Sequence, residues 1–169
     1  SDQYIQCAKL LSYPKKAEIV CSSLTEKIKK SFSKIDIVLS PALGGIVVGY
    51  EIAKQLNAQT IFAERIDNKL VLRRGFFIPR DSNVLIVEDV ITTGKSALEC
   101  SKIVKTNKAN LVGFACIIDR SDNNVLIKEK IISQIKVNIA VFRENELPDK
   151  LKKIPAIKPG SRNLSNDQN

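Results

Sequence analysis

The chain has 169 residues, enough for one domain with a substantial core, and 44% of them are apolar. No apolar run approaches the roughly 20 residues of a membrane-spanning helix and no charged-then-apolar leader opens the sequence, so a cytoplasmic protein acting away from membranes is expected. The net charge of +9 invites a nucleic-acid partner, but aromatics are only 5% of residues. The lysines of 15–16, 27–30 and 150–153 read as solvated helix faces, so the field suits small polyanions and no nucleic acid is expected.

In chain order, Tyr4 to Leu11 reads as a short strand or extended segment. Pro14 stands at a first helical position, and Ala17, Val20, Leu24 and Ile28 give helical spacing to about Ser31. Ile35 to Leu39 is a short strand interrupted by Asp36. The turn 40–45 follows, then a helix from about Ile46 to Leu56. Ile61 to Ala63 is a second strand, and Lys69 to Arg74 a polar hairpin arm or loop with Phe76 to Ile78 beyond it. The apolar run Val84 to Val87 is a strand buried on both faces. It leads to a helix over about Lys95 to Thr106, with Ala97, Cys100 and Val104 on one face. Leu111 to Ile118 is another buried strand, Val125 to Ile131 is open between helix and strand, and Val137 to Phe142 is a last strand. Strands alternating with helices predict an α/β fold, a doubly wound, mainly parallel sheet flanked by helices. A single domain over 1–169 is expected, with an irregular polar tail over about 144–169.

The chemistry concentrates at the end of the Val84 to Val87 strand. Glu88 and Asp89 would emerge at its carboxyl end, where open α/β sheets place ligands. Thr92, Thr93, Gly94, Lys95 and Ser96 follow, with hydroxyls and backbone N–H groups at a helix start, an anion cradle suited to phosphate. An ordinary helix cap accounts for one hydroxyl. It does not account for two carboxylates ending an apolar strand, where desolvation penalises unpaired charge. Hydroxyl-binding carboxylates beside a phosphate cradle describe a site for a phosphorylated sugar. The four cysteines (7, 21, 100 and 116) form no C-x-x-C pair, and the chain has no histidine, which rules out a Cys/His zinc site. Buried thiols in a reducing compartment are the expectation.

The run from Val84 to Ser96 resembles the phosphoribosyl-pyrophosphate (PRPP) signature of type I phosphoribosyltransferases. Ala42, Leu43, Gly44 and Gly45, one βα unit earlier, resemble that superfamily's pyrophosphate loop, which often holds a cis peptide; the glycines let backbone N–H groups approach an anion. Arg65, Lys69, Arg73 and Arg74 would supply cationic donors to a leaving group whose charge grows as the glycosidic bond breaks. A mobile loop over the site would exclude water. Arg120, after the strand ending at Ile118, is either a member of a surface ion pair or a planar donor fork reading an acidic base.

Within the superfamily, the chain is most similar to the orotate phosphoribosyltransferase family. The resemblance rests on residues 1–8, 40–45, 62–65 with 72–76, the signature, 118–121 and 157–162. It implies transfer of the ribosyl-5-phosphate group from Mg²⁺–PRPP to N1 of orotate. It also implies Mg²⁺ held through PRPP and water rather than by direct protein ligands, and a homodimer whose catalytic loop is shared between subunits. By position, Glu88 and Asp89 would hold the ribose hydroxyls, Thr92 to Ser96 the 5-phosphate, and Ala42 to Gly45 the pyrophosphate. Thr92 and Arg120 would meet orotate. Asp89, Arg65, Lys69 and Arg73 are the catalytic candidates.

Three departures stand out. Many relatives carry a lysine where this chain has Gly44. Their catalytic loop includes a histidine absent here, leaving Arg73 or Arg74 as replacements. Relatives also have an N-terminal helix and strand before the position of Ser1, so the hood over the base is expected to be incomplete. Alternatives are a uracil or purine phosphoribosyltransferase, a PRPP-sensing regulator with this fold, or an inactive remnant; Arg120 favours a carboxylated pyrimidine.

Overall fold

The computed structural model of the protein describes residues 5–121, 125–139, 142 and 146–155. The chain divides into two compact units, residues 1–6 with 139–169, and residues 7–138. In the first, a short helix spans Asp149–Lys152, inside the stretch expected to be irregular.

The second unit runs α1 (Cys7–Leu11), α2 (Pro14–Ser31), β1 (Ile37–Pro41), α3 (Gly44–Leu56), β2 (Gln59–Ile66), β3 (Lys69–Leu72), β4 (Asn83–Ile91), α4 (Lys95–Thr106), β5 (Asn110–Asp119) and β6 (Ile131–Lys136). The strands form one sheet in the order β3-β2-β1-β4-β5-β6. Every pairing is parallel except β2–β3, an antiparallel hairpin at one edge.

Strand alternation explains the layering. Ile37, Leu39, Val84, Ile86, Phe114 and Cys116 share one face with Ala97, Cys100 and Val104 of α4. Val38, Leu85, Val87 and Ala115 are equally buried; Val38 points to the other face, where it meets α3 at Gly49. Helices α1, α2 and α3 pack against one another, whereas α4 packs on β1, β3, β4 and β5. This is the doubly wound arrangement read from the all-apolar runs. Burying each Leu, Ile or Phe of such a core contributes about 1.5–3 kcal/mol.

Three elements differ from the sequence reading. The segment at Tyr4 to Leu11, expected to be extended, contains helix α1, because Cys7 and Leu11 sit one turn apart and are buried on one side. Val125 to Lys130 belongs to neither helix nor strand. Among the described residues the last strand is Ile131–Lys136, and residues 137–139 and 142 of the expected Val137 to Phe142 strand are not part of one. It is an edge strand carrying Ser133, Gln134 and Lys136, so its apolar signal is diluted, while Lys27 Nζ from α2 donates to the Ser133 and Gln134 carbonyls at 3.1 and 2.8 Å. Residues 1–4 and 157–162, two stretches that carried the resemblance, lie outside the described residues.

Candidate active site

The sheet order reverses between β1 and β4: the chain leaves β1 through α3 on one face and leaves β4 through α4 on the other. Ligands of open α/β sheets bind in the crevice at such a switch point, outside the carboxyl ends of the strands. The register aligns those ends. Leu39 pairs with Ile86 and Pro41 with Ala63, which sets Pro41 level with Glu88; Ile91 pairs with Asp119. The 41–45 turn, the acidic pair, the Thr92 to Ser96 turn and Arg120 therefore meet at one end of the sheet.

Neither flanking helix starts with a side-chain cap. The residues before them, Leu43 and Gly94, make no capping hydrogen bond, so the first-turn amides of α3 and α4 lack the partners that caps supply. Among the described residues, the amides of Thr93, Gly94 and Ser96 find no acceptor. Both N-termini thus present donors and positive dipole ends to the crevice. The Ala42–Leu43 peptide is cis. A Cβ on Gly44 would lie 2.8 Å from both carboxylate oxygens of Asp89, so the loop after β1 and the acid of β4 close on each other.

Glu88 and Asp89 leave the strand on opposite faces. Glu88 continues the Val84–Ile86 row toward α4 and accepts the Ala97 N–H. Asp89 turns toward α3 and accepts the Val90 N–H at 3.0 Å. Both are half-buried, and neither has a cationic partner among the described residues. Burial, then the neighbouring Asp89, pushes the Glu88 carboxyl up to about 8. Burial also raises that of Asp89, against two backbone hydrogen bonds. A half-buried, unpaired acid pair that still faces a crevice awaits hydroxyls or a cation. No group of three or more His, Cys, Asp or Glu side chains gathers as a metal-binding set among the described residues. The two hard carboxylates suit Mg²⁺ only where other oxygens complete its shell.

Thr92, Thr93 and Lys95 are exposed and Ser96 half-buried at the crevice rim. The loop after β5 braces this turn: Leu126 N–H donates to the Thr93 carbonyl at 3.0 Å, and Ile127 packs where a Gly94 Cβ would fall. This brace was not anticipated, because Val125 to Ile131 gave no clear periodicity. Arg120 donates its backbone N–H to the Ile91 carbonyl at 2.8 Å, and its buried Nε has no acceptor among the described residues. Such an orphaned guanidinium nitrogen calls for a ligand acceptor. Its neighbour Asp119 is buried, held by the Ser121 N–H at 2.8 Å and by Lys136 Nζ at 3.6 Å.

The remaining basic candidates lie on the β2–β3 hairpin. Lys69 and Arg73 are exposed. Arg65 crosses to Glu99 of α4, and Arg74 is clamped by Glu64; Glu99 is a second residue the sequence reading missed, being an unremarked surface acid 34 positions from its partner. A cavity of about 720 Å³ lies beside the hairpin, between β3, Phe76, Phe77 and α4. It is not the crevice that holds the acid pair.

Residues 11–147 match the phosphoribosyl transferase domain family. Fold and site together define a protein of the phosphoribosyltransferase class, and the solved structure of orotate phosphoribosyltransferase from Aeropyrum pernix shares the fold, with a TM-score of 0.66 at 18% identity over 81% of this chain and 80% of that one. Two relatives called orotate phosphoribosyltransferase are far more similar in sequence. That of Caldanaerobacter subterraneus subsp. tengcongensis is 43% identical, with the alignment covering 97% of this chain and 85% of that protein. That of Caldicellulosiruptor saccharolyticus is 45% identical over the same shares. The chain belongs to the orotate phosphoribosyltransferase family.

Proposed function

We propose that the chain transfers the 5-phosphoribosyl group of PRPP to N1 of orotate, giving orotidine 5′-monophosphate and pyrophosphate, a step of pyrimidine (UMP) biosynthesis. The observation that carries this reading is the meeting of Glu88 and Asp89 with two uncapped helix N-termini at the sheet's switch point, in a chain of this family. The C1′–oxygen bond to pyrophosphate breaks with its electron pair leaving on oxygen, N1 of the base bonds to C1′, and the proton that N1 carried is released to solvent.

Each group has a task in that exchange. Asp89 and Glu88 accept hydrogen bonds from the ribose 2- and 3-hydroxyls. The amides and hydroxyls of Thr92, Thr93, Gly94, Lys95 and Ser96 hold the 5-phosphate. The 42–45 loop, with Leu43, Gly44 and Gly45, faces the pyrophosphate. Arg65, Lys69 and Arg73 stabilise the charge that grows on that leaving group; the bidentate hold of Glu64 on Arg74 leaves Arg73, not Arg74, to replace the missing histidine. Arg120, with Thr92 beside it, pairs its buried Nε and fork with the orotate carboxylate. Mg²⁺ would arrive bound to PRPP and water and would neutralise pyrophosphate charge, with Glu88 and Asp89 as the acidic oxygens available to its waters.

The protein works as a homodimer in the cytoplasm. An exposed apolar row, Leu43 before α3 with Val47 and Tyr50 on it, runs on from the pyrophosphate loop and suits a second copy that brings its own hairpin to the site. Four unpaired buried thiols fit a reducing compartment. No described helix is long and apolar enough to cross a membrane.

Kinetics of Asp89→Asn and Arg120→Ala test the assignment. Asp89→Asn should weaken PRPP use by about 10- to 150-fold, since a charged hydrogen bond is worth ~1.5–3 kcal/mol. Arg120→Ala should raise KM for orotate far more than for PRPP. Equal losses for both substrates would remove Arg120 from the base site.

A further inference from the structure

Two arginines of the β2–β3 hairpin are held by carboxylates in opposite ways. Arg74 gives Glu64 one whole edge of its fork, Nε and Nη2, each at 2.9 Å, so the edge suited to a bidentate anion is already taken. Arg65 gives Glu99 only Nη1, at 3.0 Å, and the same nitrogen donates to the Asn68 carbonyl at 2.6 Å. Its Nε and Nη2 have no partner among the described residues.

Place reinforces this contrast. Arg65 continues the row of Ile61 and Ala63, which lies on the α4 face of β2, and Glu99 stands in the second turn of α4, three residues past Ser96. Glu88 reaches the same side of the sheet at Ala97. Burial first, then the charges of Glu88 and Glu99, raise the Cys100 thiol and Arg65 opposes them, in keeping with all three charges lying near this stretch of α4. With side chains 38% and 20% exposed, the Arg65–Glu99 pair contributes little to stability. Its consequence is orientation: one anchored nitrogen removes rotamer freedom from a long side chain before an anion arrives, which is preorganisation.

We propose that Glu99 is a positioning residue for Arg65, anchoring one guanidinium nitrogen so that the others face the leaving pyrophosphate. This rests on the transferase reading above, in which Arg65 serves that group. Glu64, by contrast, sequesters Arg74.

The test compares Arg65→Ala, Glu99→Ala, Glu99→Gln and the Arg65→Ala/Glu99→Ala double variant of the full chain, with Mg²⁺, PRPP and orotate. Arg65→Ala should lower kcat about 100-fold and Glu99→Ala about 10-fold, as misplacement of a catalytic donor does, with KM for orotate unchanged. Glu99→Gln keeps an oxygen acceptor and should recover most of the Glu99→Ala loss. It also covers the case in which Glu99→Ala lowers the thermal midpoint. In the Arg65→Ala background Glu99→Ala should cost nothing more. Full kcat in Glu99→Ala, or the same loss with and without Arg65, overturns the positioning role while the transferase reading stands. Wild-type kcat in Arg65→Ala removes Arg65 from the leaving-group site and the positioning role with it.

Discussion

Gly44→Ala probes the site with one carbon. The position is exposed and carries no positive φ, so alanine fits its backbone and little fold stability is at stake. The new Cβ would stand 2.8 Å from Asp89 Oδ1 and Oδ2. Ordinary van der Waals contact begins near 3.4 Å, so the carboxylate must retreat by about 0.6 Å (3.4 − 2.8), against its hydrogen bond from the Val90 N–H. Loss of a charged hydrogen bond to a ribose hydroxyl costs ~1.5–3 kcal/mol. A partial retreat should sit at the lower end, about tenfold in kcat/KM for PRPP. Initial rates over a PRPP titration at saturating orotate, with a thermal melt alongside, measure both quantities. A tenfold loss with a nearly unchanged midpoint is expected. Undiminished kcat/KM in a folded Gly44→Ala protein would refute the contact between the acid pair and PRPP.

Glu88→Gln should stabilise the ligand-free protein with a defined pH signature. The Glu88 carboxyl is raised by burial from 4.5 to about 8, so between those pH values the native state holds a proton that the unfolded chain has lost, and wild-type stability declines as pH rises. Urea unfolding should find variant and wild type similar at pH 4 and the variant ahead by about 2 kcal/mol at pH 9, after discounting for solvent screening; a difference that does not grow with pH contradicts the burial of Glu88. Gly94→Ala forces a Cβ to 2.7 Å from Ile127 Cγ1 at φ +76°, a left-handed conformation that alone costs about 1–2 kcal/mol. A lower thermal midpoint and a raised KM for PRPP are expected, and Ile127→Ala should restore only the part due to the clash. Burial pushes the Cys7 and Cys21 thiols up to about 12 and raises those of Cys100 and Cys116 as well. A thiol-reactive disulfide reagent at pH 8 should therefore label all four only after denaturation; fast labelling of the folded protein would contradict their burial.

The parts of the fold legible in the sequence were those whose partners are local. Val84 to Val87 declared a doubly buried strand without outside help, and the Thr92 to Ser96 turn declared the start of α4. Ala97, Cys100 and Val104 matched their predicted face because a twelve-residue helix repeats its pattern several times. Helix α1 has five residues, too few to show a period. Strand β6 is an edge strand whose polar residues are held by Lys27, 106 and 107 positions away, a contact that no window of sequence contains. The same reason hid Glu99 and Ile127: each meets its partner, Arg65 or Gly94, through tertiary packing alone. The two acids could be named from sequence, but not that they leave the strand on opposite faces, one toward each flanking helix.

Which base the PRPP site serves decides the function. Mixing the protein with Mg²⁺ and PRPP and adding orotate, uracil, adenine or hypoxanthine in separate reactions, with base consumption and pyrophosphate release followed together, is the direct measurement. Orotate should be consumed with one pyrophosphate released per base, and the other three should remain. Consumption of a purine or of uracil in its place, or no turnover with any base by folded protein, would contradict it.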